Sequence, residues 1–145
     1  MADAPYFSLS HSGELAVVAV ARVPVGIDVQ RVPSEETVEL VERRLHPEER
    51  REVRELPPER RPFALASVWA RKEAYLKGLG TGLAHGLGHV YLGGRPGVAG
   101  APVGWLVRDL PGDGRHAMAV AVAVARHGAE GLRIVSRALP TGPVA

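Results

Sequence analysis

Single carboxylates stand at two places in this chain where a core has little use for isolated charge. Asp28 closes the apolar run in "VGIDVQRV", residues 25–32, and Glu73 sits between Lys72 and Lys77 in "WARKEAYLK", residues 69–77. Trp69, Glu73 and Lys77 are spaced i, i+4 and i+8, so a helix lines them along one face. The plainest account is a surface Glu73–Lys77 pair, worth roughly a few tenths of a kcal/mol, with Asp28 merely opening a turn. Trp69 on the same face argues that part of the stripe is covered, and a covered carboxylate or ammonium needs a partner. Gly26, two residues before Asp28, leaves room for a backbone or a ligand to come close. If Asp28 faces Glu73, two hard oxygen ligands meet beside a lysine. That set suits Mg²⁺, which keeps several waters and is held by one or two carboxylates together with phosphate oxygens.

"SLSHSG", residues 8–13, adds hydroxyls and an imidazole. In a strand Ser8, Ser10 and Ser12 share one face and His11 points to the other. Groups of this kind near a phosphate donate to the anion. Ser10 and His11, being adjacent, point apart and form no hydrolase dyad, and no GxSxG elbow is present. Two other patterns carry less. "GLGTG", residues 78–82, follows a helical stretch and lacks a Walker lysine. His85 and His89 are four apart, but Gly86 and Gly88 make a helical zinc pair improbable.

The elements that must position these residues are legible from breakers and periodicity. Residues 6–10 and 15–23 read as valine-rich strands, and residues 24–30 as a third, set off by Pro24. From Ser34, an N-cap candidate, "SEETVELVERRL" places Val38, Val41 and Leu45 at helical spacing. Pro47 opens a second short helix that Pro57 and Pro58 close. A long helix is expected from Arg61 to Leu79, with Phe63, Ala66, Ala70, Ala74 and Leu76 inward and the glycines behind it as a stop. "HVYLGG", "VGWLVRDL", "HAMAVAVAVARHG" and "GLRIVS" read as strands between Gly/Pro turns, and residues 137–145 as a frayed tail. Strands, then helices, then strands predict an α+β domain over residues 6–136, with helices packed on a mainly antiparallel sheet.

Composition narrows the class. The 145 residues suffice for one domain, and 46% hydrophobic content argues for a folded core. Without cysteine there are no disulfides and no thiolate metal sites. The longest apolar run, residues 117–125, falls far short of the roughly 20 residues of a membrane helix, and the N-terminus lacks a signal-peptide pattern. A cytoplasmic protein without membrane contact is expected. The net charge is +2, and arginines alternate with glutamates over residues 41–61, the pattern of a solvated helical face. Nucleic-acid binding asks for a one-sided basic stripe with aromatics, which are 5% here.

In this order and spacing, "SLSHSG", "VGID" and "WARKEAYLK" with "GLGTG" behind it resemble the 4'-phosphopantetheinyl transferases of the Sfp type, mainly their second half. The resemblance implies transfer of the phosphopantetheine arm of coenzyme A to a serine of an apo acyl or peptidyl carrier protein, releasing adenosine 3',5'-bisphosphate. It implies that Asp28 and Glu73 hold Mg²⁺ and that Glu73 also serves as the base. Lys77 would neutralise the leaving phosphate, and Ser10, His11, Lys72 and Lys77 would contact coenzyme A. Glu49 matches a further family acid near the site. Many relatives carry a glutamate where this chain has Gln30, so Gln30 is expected to reach the metal through a water. "FSLSHSG" begins almost at once, so the site is expected to be completed by self-association into a homo-oligomer. The alternatives are a truncated or inactive relative, or a basic polyanion-binding module.

Overall fold

The computed structural model describes residues 4–81, 86–94, 102–124 and 132–139. Strands β1 (Tyr6–Ser12) and β2 (Leu15–Ala21) form an antiparallel hairpin in which Ser12 faces Leu15. Gly13 turns the two-residue loop at φ 59°, a conformation that costs glycine nothing. Strand β3 (Val25–Arg31) belongs to a separate three-stranded sheet with β4 (Trp105–Leu110) and β5 (His116–Ala123). The order is β3-β5-β4 and both pairings are antiparallel, with Asp28 opposite Ala119. The expected α+β arrangement is present, its strands divided between two sheets.

Helix α1 (Glu35–Val41) starts after Ser34, whose hydroxyl meets Thr37 Oγ1 at 2.9 Å instead of capping a backbone N–H. A 3-10 turn at Glu42–Arg44 leads to α2 (Pro47–Glu55). There Pro47 opens the helix, and a capping box joins His46 to Glu48 and Glu49. Helix α3 (Arg61–Leu79) has the predicted bounds and stops at Gly80, left-handed at φ 73°.

Alanine makes the central interface thin. Ala70, Ala74, Ala119 and Ala121 are fully buried between α3 and the sheet, with Tyr75, Leu92 and Val107 around them. On the other side of α3, Leu65 and Val68 pack with Val38 of α1, Val53 of α2 and Leu45, which was expected in the first helix but lies in extended backbone after the 3-10 turn. The helical stripes of α1 and α2 thus find their partner. Phe63, predicted inward, is 46% exposed, one turn from the N-terminus of α3 where the neighbouring elements no longer cover it.

Two predicted strands do not form. Residues 89–94 take no strand pairing, because their backbone is held by charged side chains instead, Glu49, Arg71 and Lys72 of them buried. The Leu92 N–H donates to Glu49 Oε1 at 2.6 Å and the Gly94 N–H to Glu52 Oε2 at 2.9 Å. Lys72 donates to the Val90 carbonyl and Arg71 to the Leu92 carbonyl. With its main-chain groups so occupied, this stretch gains nothing from a sheet. Residues 132–136 are likewise without regular structure, and Ile134 packs on Val25, Val120 and Val122. His85, residues 125–128, Gly131 and residues 140–145 lie outside the described residues.

Candidate active site

The site arises where α3 crosses β3 with glycine at the contact. A Cβ on Gly26 would lie 1.8 Å from the Ala74 carbonyl oxygen and 2.6 Å from the Gly78 nitrogen. Gly26 therefore admits a backbone, that of α3, and the close approach sets Lys77 against Asp28. Lys77 Nζ donates to Asp28 Oδ1 at 2.9 Å, and to the carbonyls of Ile27 at 3.2 Å and Leu9 at 3.3 Å. The surface Glu73–Lys77 pair considered above is not made; the lysine goes to Asp28.

Asp28 is buried, and its carboxylate is held on three sides. Ser10 donates to Oδ1 at 2.9 Å and the Gln30 amide donates to Oδ2 at 2.7 Å, beside the Lys77 contact. Residues 28 and 30 share a strand face, as alternation requires. Glu73 lies one turn of α3 before Lys77. It is half-buried and has no hydrogen-bond or ion-pair partner among the described residues. Burial raises its pKa above the usual carboxylate range, and the charge of Asp28 raises it further. The charges of Lys77 and Arg44 pull it partly back.

Two acids that repel each other, one of them without a hydrogen-bond or ion-pair contact among the described residues, suit a hard cation. Among the described residues no group of three or more acids or histidines could hold a metal without help. Two carboxylates that need further oxygens from a phosphate are the usual pattern for Mg²⁺, so the residues present fit that ion.

Several sequence-predicted residues stand elsewhere. Lys72 is 2% exposed and faces inward, its ammonium on both Glu49 oxygens at 2.9 Å and on the Val90 carbonyl. Helical spacing puts it about 100° around α3 from Glu73, so the structure does not bring it to Asp28. Glu49 is fully buried and shares that pair. Burial lowers the Lys72 pKa, against the hydrogen bonds and charge of Glu49. Ser10, expected on a phosphate, is buried with its hydroxyl on Asp28, whereas His11 is exposed on the other face of β1. Arg44 was missed. Its guanidinium lies 5.8 Å from the Trp69 ring centroid and its charge reaches Glu73, but nothing in the arginine-rich run of residues 41–61 singles it out.

This geometry accompanies a family. The sequence profile of the 4'-phosphopantetheinyl transferase superfamily matches residues 24–118, and the chain belongs to that superfamily. A 4'-phosphopantetheinyl transferase of Bacillus pumilus is 35% identical over 82 residues, covering 57% of this chain and 35% of that protein. A holo-[acyl-carrier-protein] synthase of Geobacillus kaustophilus is 44% identical over 66 residues, 42% of this chain and 51% of that one. The crystal structure of a holo-(acyl-carrier-protein) synthase from Bacillus anthracis, in complex with CoA (3',5'-ADP), superposes with a TM-score of 0.54 at 25% identity. That match covers 70% of this chain and 95% of the other. The chain spans about a third of the length of the Bacillus pumilus transferase.

Proposed function

We propose that this protein transfers the 4'-phosphopantetheine arm of coenzyme A to a serine of an apo acyl or peptidyl carrier protein. The observation that carries the reading is the Asp28–Lys77–Glu73 group at the glycine crossing, with Glu73 lacking a partner among the described residues. The family membership and the relatives named above support it.

Asp28 and Glu73 would hold Mg²⁺, and Gln30, whose amide N–H lies on Asp28, would stand to the ion through a water. The bound ion would neutralise and align the pyrophosphate of coenzyme A. The serine hydroxyl attacks the phosphorus that carries pantetheine, and the P–O bond to adenosine 3',5'-bisphosphate breaks. Glu73 takes the serine proton, directly or through a water, helped by the basicity its burial confers. Lys77 meets the charge that develops on the leaving phosphate. His11, exposed beside the site strand, is assigned to a coenzyme A phosphate. The exposed apolar face of the β1–β2 hairpin supports self-association into a homo-oligomer.

Incubation with coenzyme A, Mg²⁺ and a panel of apo carrier proteins, followed by intact mass, tests the reading. The expected result is addition of one phosphopantetheine to at least one carrier, lost when the metal is chelated. No addition to any carrier by folded protein would refute it.

A further inference from the structure

Strand β1 meets the central sheet in an unusual way. On one side it makes a regular main-chain ladder with β2 from Tyr6↔Ala21 to Ser12↔Leu15. On the other side it lies along β3, which is the edge of the three-stranded sheet. The outward N–H groups of β3 would be orphans there. Side chains take them instead. Ser8 Oγ accepts from Ile27 N–H at 3.0 Å, Ser10 Oγ from Val29 N–H at 3.2 Å, and Ser12 Oγ from Arg31 N–H at 3.2 Å.

The three rungs do the same work for the backbone, but they differ in what the hydroxyl proton does. A serine hydroxyl has one donor and two acceptor sites. At Ser10 that proton goes to Asp28 Oδ1 at 2.9 Å; Ser8 and Ser12 make no such contact with a site residue among the described residues. Ser8 and Ser10 are comparably buried, at 9% and 7% exposed, so environment does not separate them. What separates them is the carboxylate.

We propose that Ser10 is a positioning residue: its hydroxyl, fixed from below by the Val29 N–H, sets the orientation of the Asp28 carboxylate toward the metal. This rests on the proposed function for its consequence in catalysis, though not for the contact itself. Groups that orient a metal-ligating carboxylate change metal affinity or activity by about 10–100-fold when removed. Ser8 supplies the control, because Ser8→Ala loses the same backbone rung without touching Asp28.

The experiment compares Ser8→Ala, Ser10→Ala, Ser12→Ala and Ser10→Thr. Mn²⁺ binding in the presence of coenzyme A is read by electron paramagnetic resonance, together with the Mg²⁺ dependence of transfer. The ¹³C resonance of the Asp28 carboxyl is read in metal-free protein. Ser10→Ala is expected to weaken Mn²⁺ binding and raise the half-saturating Mg²⁺ concentration about tenfold or more, and to shift the Asp28 resonance. Ser10→Thr should restore all three; Ser8→Ala and Ser12→Ala should change none of them, although both lose thermal stability. An Asp28 resonance unmoved in Ser10→Ala, or equal changes in Ser8→Ala, would overturn the proposal. If wild-type protein binds no Mn²⁺ and transfers nothing, the functional reading fails, while the carboxyl resonance still decides whether Ser10 holds Asp28.

Discussion

A half-buried carboxylate beside a second acid, with no partner among the described residues, opposes folding whenever it is charged. Glu73 is that group. Its pKa is raised in the folded protein, so the native state holds the proton more tightly than the unfolded chain does. Stability from this group is therefore greatest below its ordinary value of 4.5 and is lost as pH rises through the raised one. Glu73→Gln should melt at a higher temperature than wild type at neutral pH without metal, the gap closing as the pH falls below 4.5. Equal melting temperatures at neutral pH would show that Glu73 finds a counter-charge in solution. The Lys72–Glu49 pair is the opposite case, satisfied at every oxygen and sealed from water. Lys72→Met should cost about 3–5 kcal/mol by stranding the acid, and the added change Glu49→Gln should recover part of it, both read by urea denaturation. A Lys72→Met protein with unchanged stability but weakened coenzyme A binding would return Lys72 to the substrate. Glu73 and Lys77 were legible as one helix face from their spacing, whereas Asp28, in the middle of β3, was tied to them only by the motif resemblance, since no local pattern links residues 49 positions apart. The role of Lys72 was not legible, since its partner lies 23 residues away on another helix and no local pattern announces it.

At the scale of elements, the crossing of α3 over β3 positions the site, and glycine sets its closeness. Gly26→Ala places a methyl 1.8 Å from a main-chain oxygen, which no side-chain movement can relieve. Chemical denaturation should show a loss of about 3 kcal/mol or more, and a loss well below this would mean that the helix sits further from the strand. The ends of α2 and α3 could be read in advance because proline and glycine mark them by backbone chemistry. Residues 89–94 could not. Val90, Tyr91 and Leu92 have strand-forming side chains, yet the groups that take their backbone are Lys72, Arg71 and Glu49, contributed by two helices. The serine alternation of β1 predicted a shared face correctly, but gave no sign that the face would meet an edge strand's N–H groups.

For the whole molecule, the outer face of the hairpin stands open. Phe7 is 75% exposed and pairs across the strands with Val20, and Leu9 pairs with Val18, all four exposed. A contiguous apolar surface of this kind favours association, and a two-fold dimer is its simplest form. Sedimentation should show an oligomer that Phe7→Asp with Val20→Lys dissociates; a wild-type monomer at high concentration with full activity would contradict this. The Asp28–Glu73–Lys77 group is tested most directly by the single-turnover rate of phosphopantetheine transfer. Wild type, Asp28→Ala and Glu73→Gln are compared with Mg²⁺ and a carrier that wild type modifies, after circular dichroism has shown all three folded. The two variants are expected to be slower by orders of magnitude, about 10²-fold or more for loss of a base or a metal ligand. Wild-type rates in both folded variants would contradict the assignment of the site.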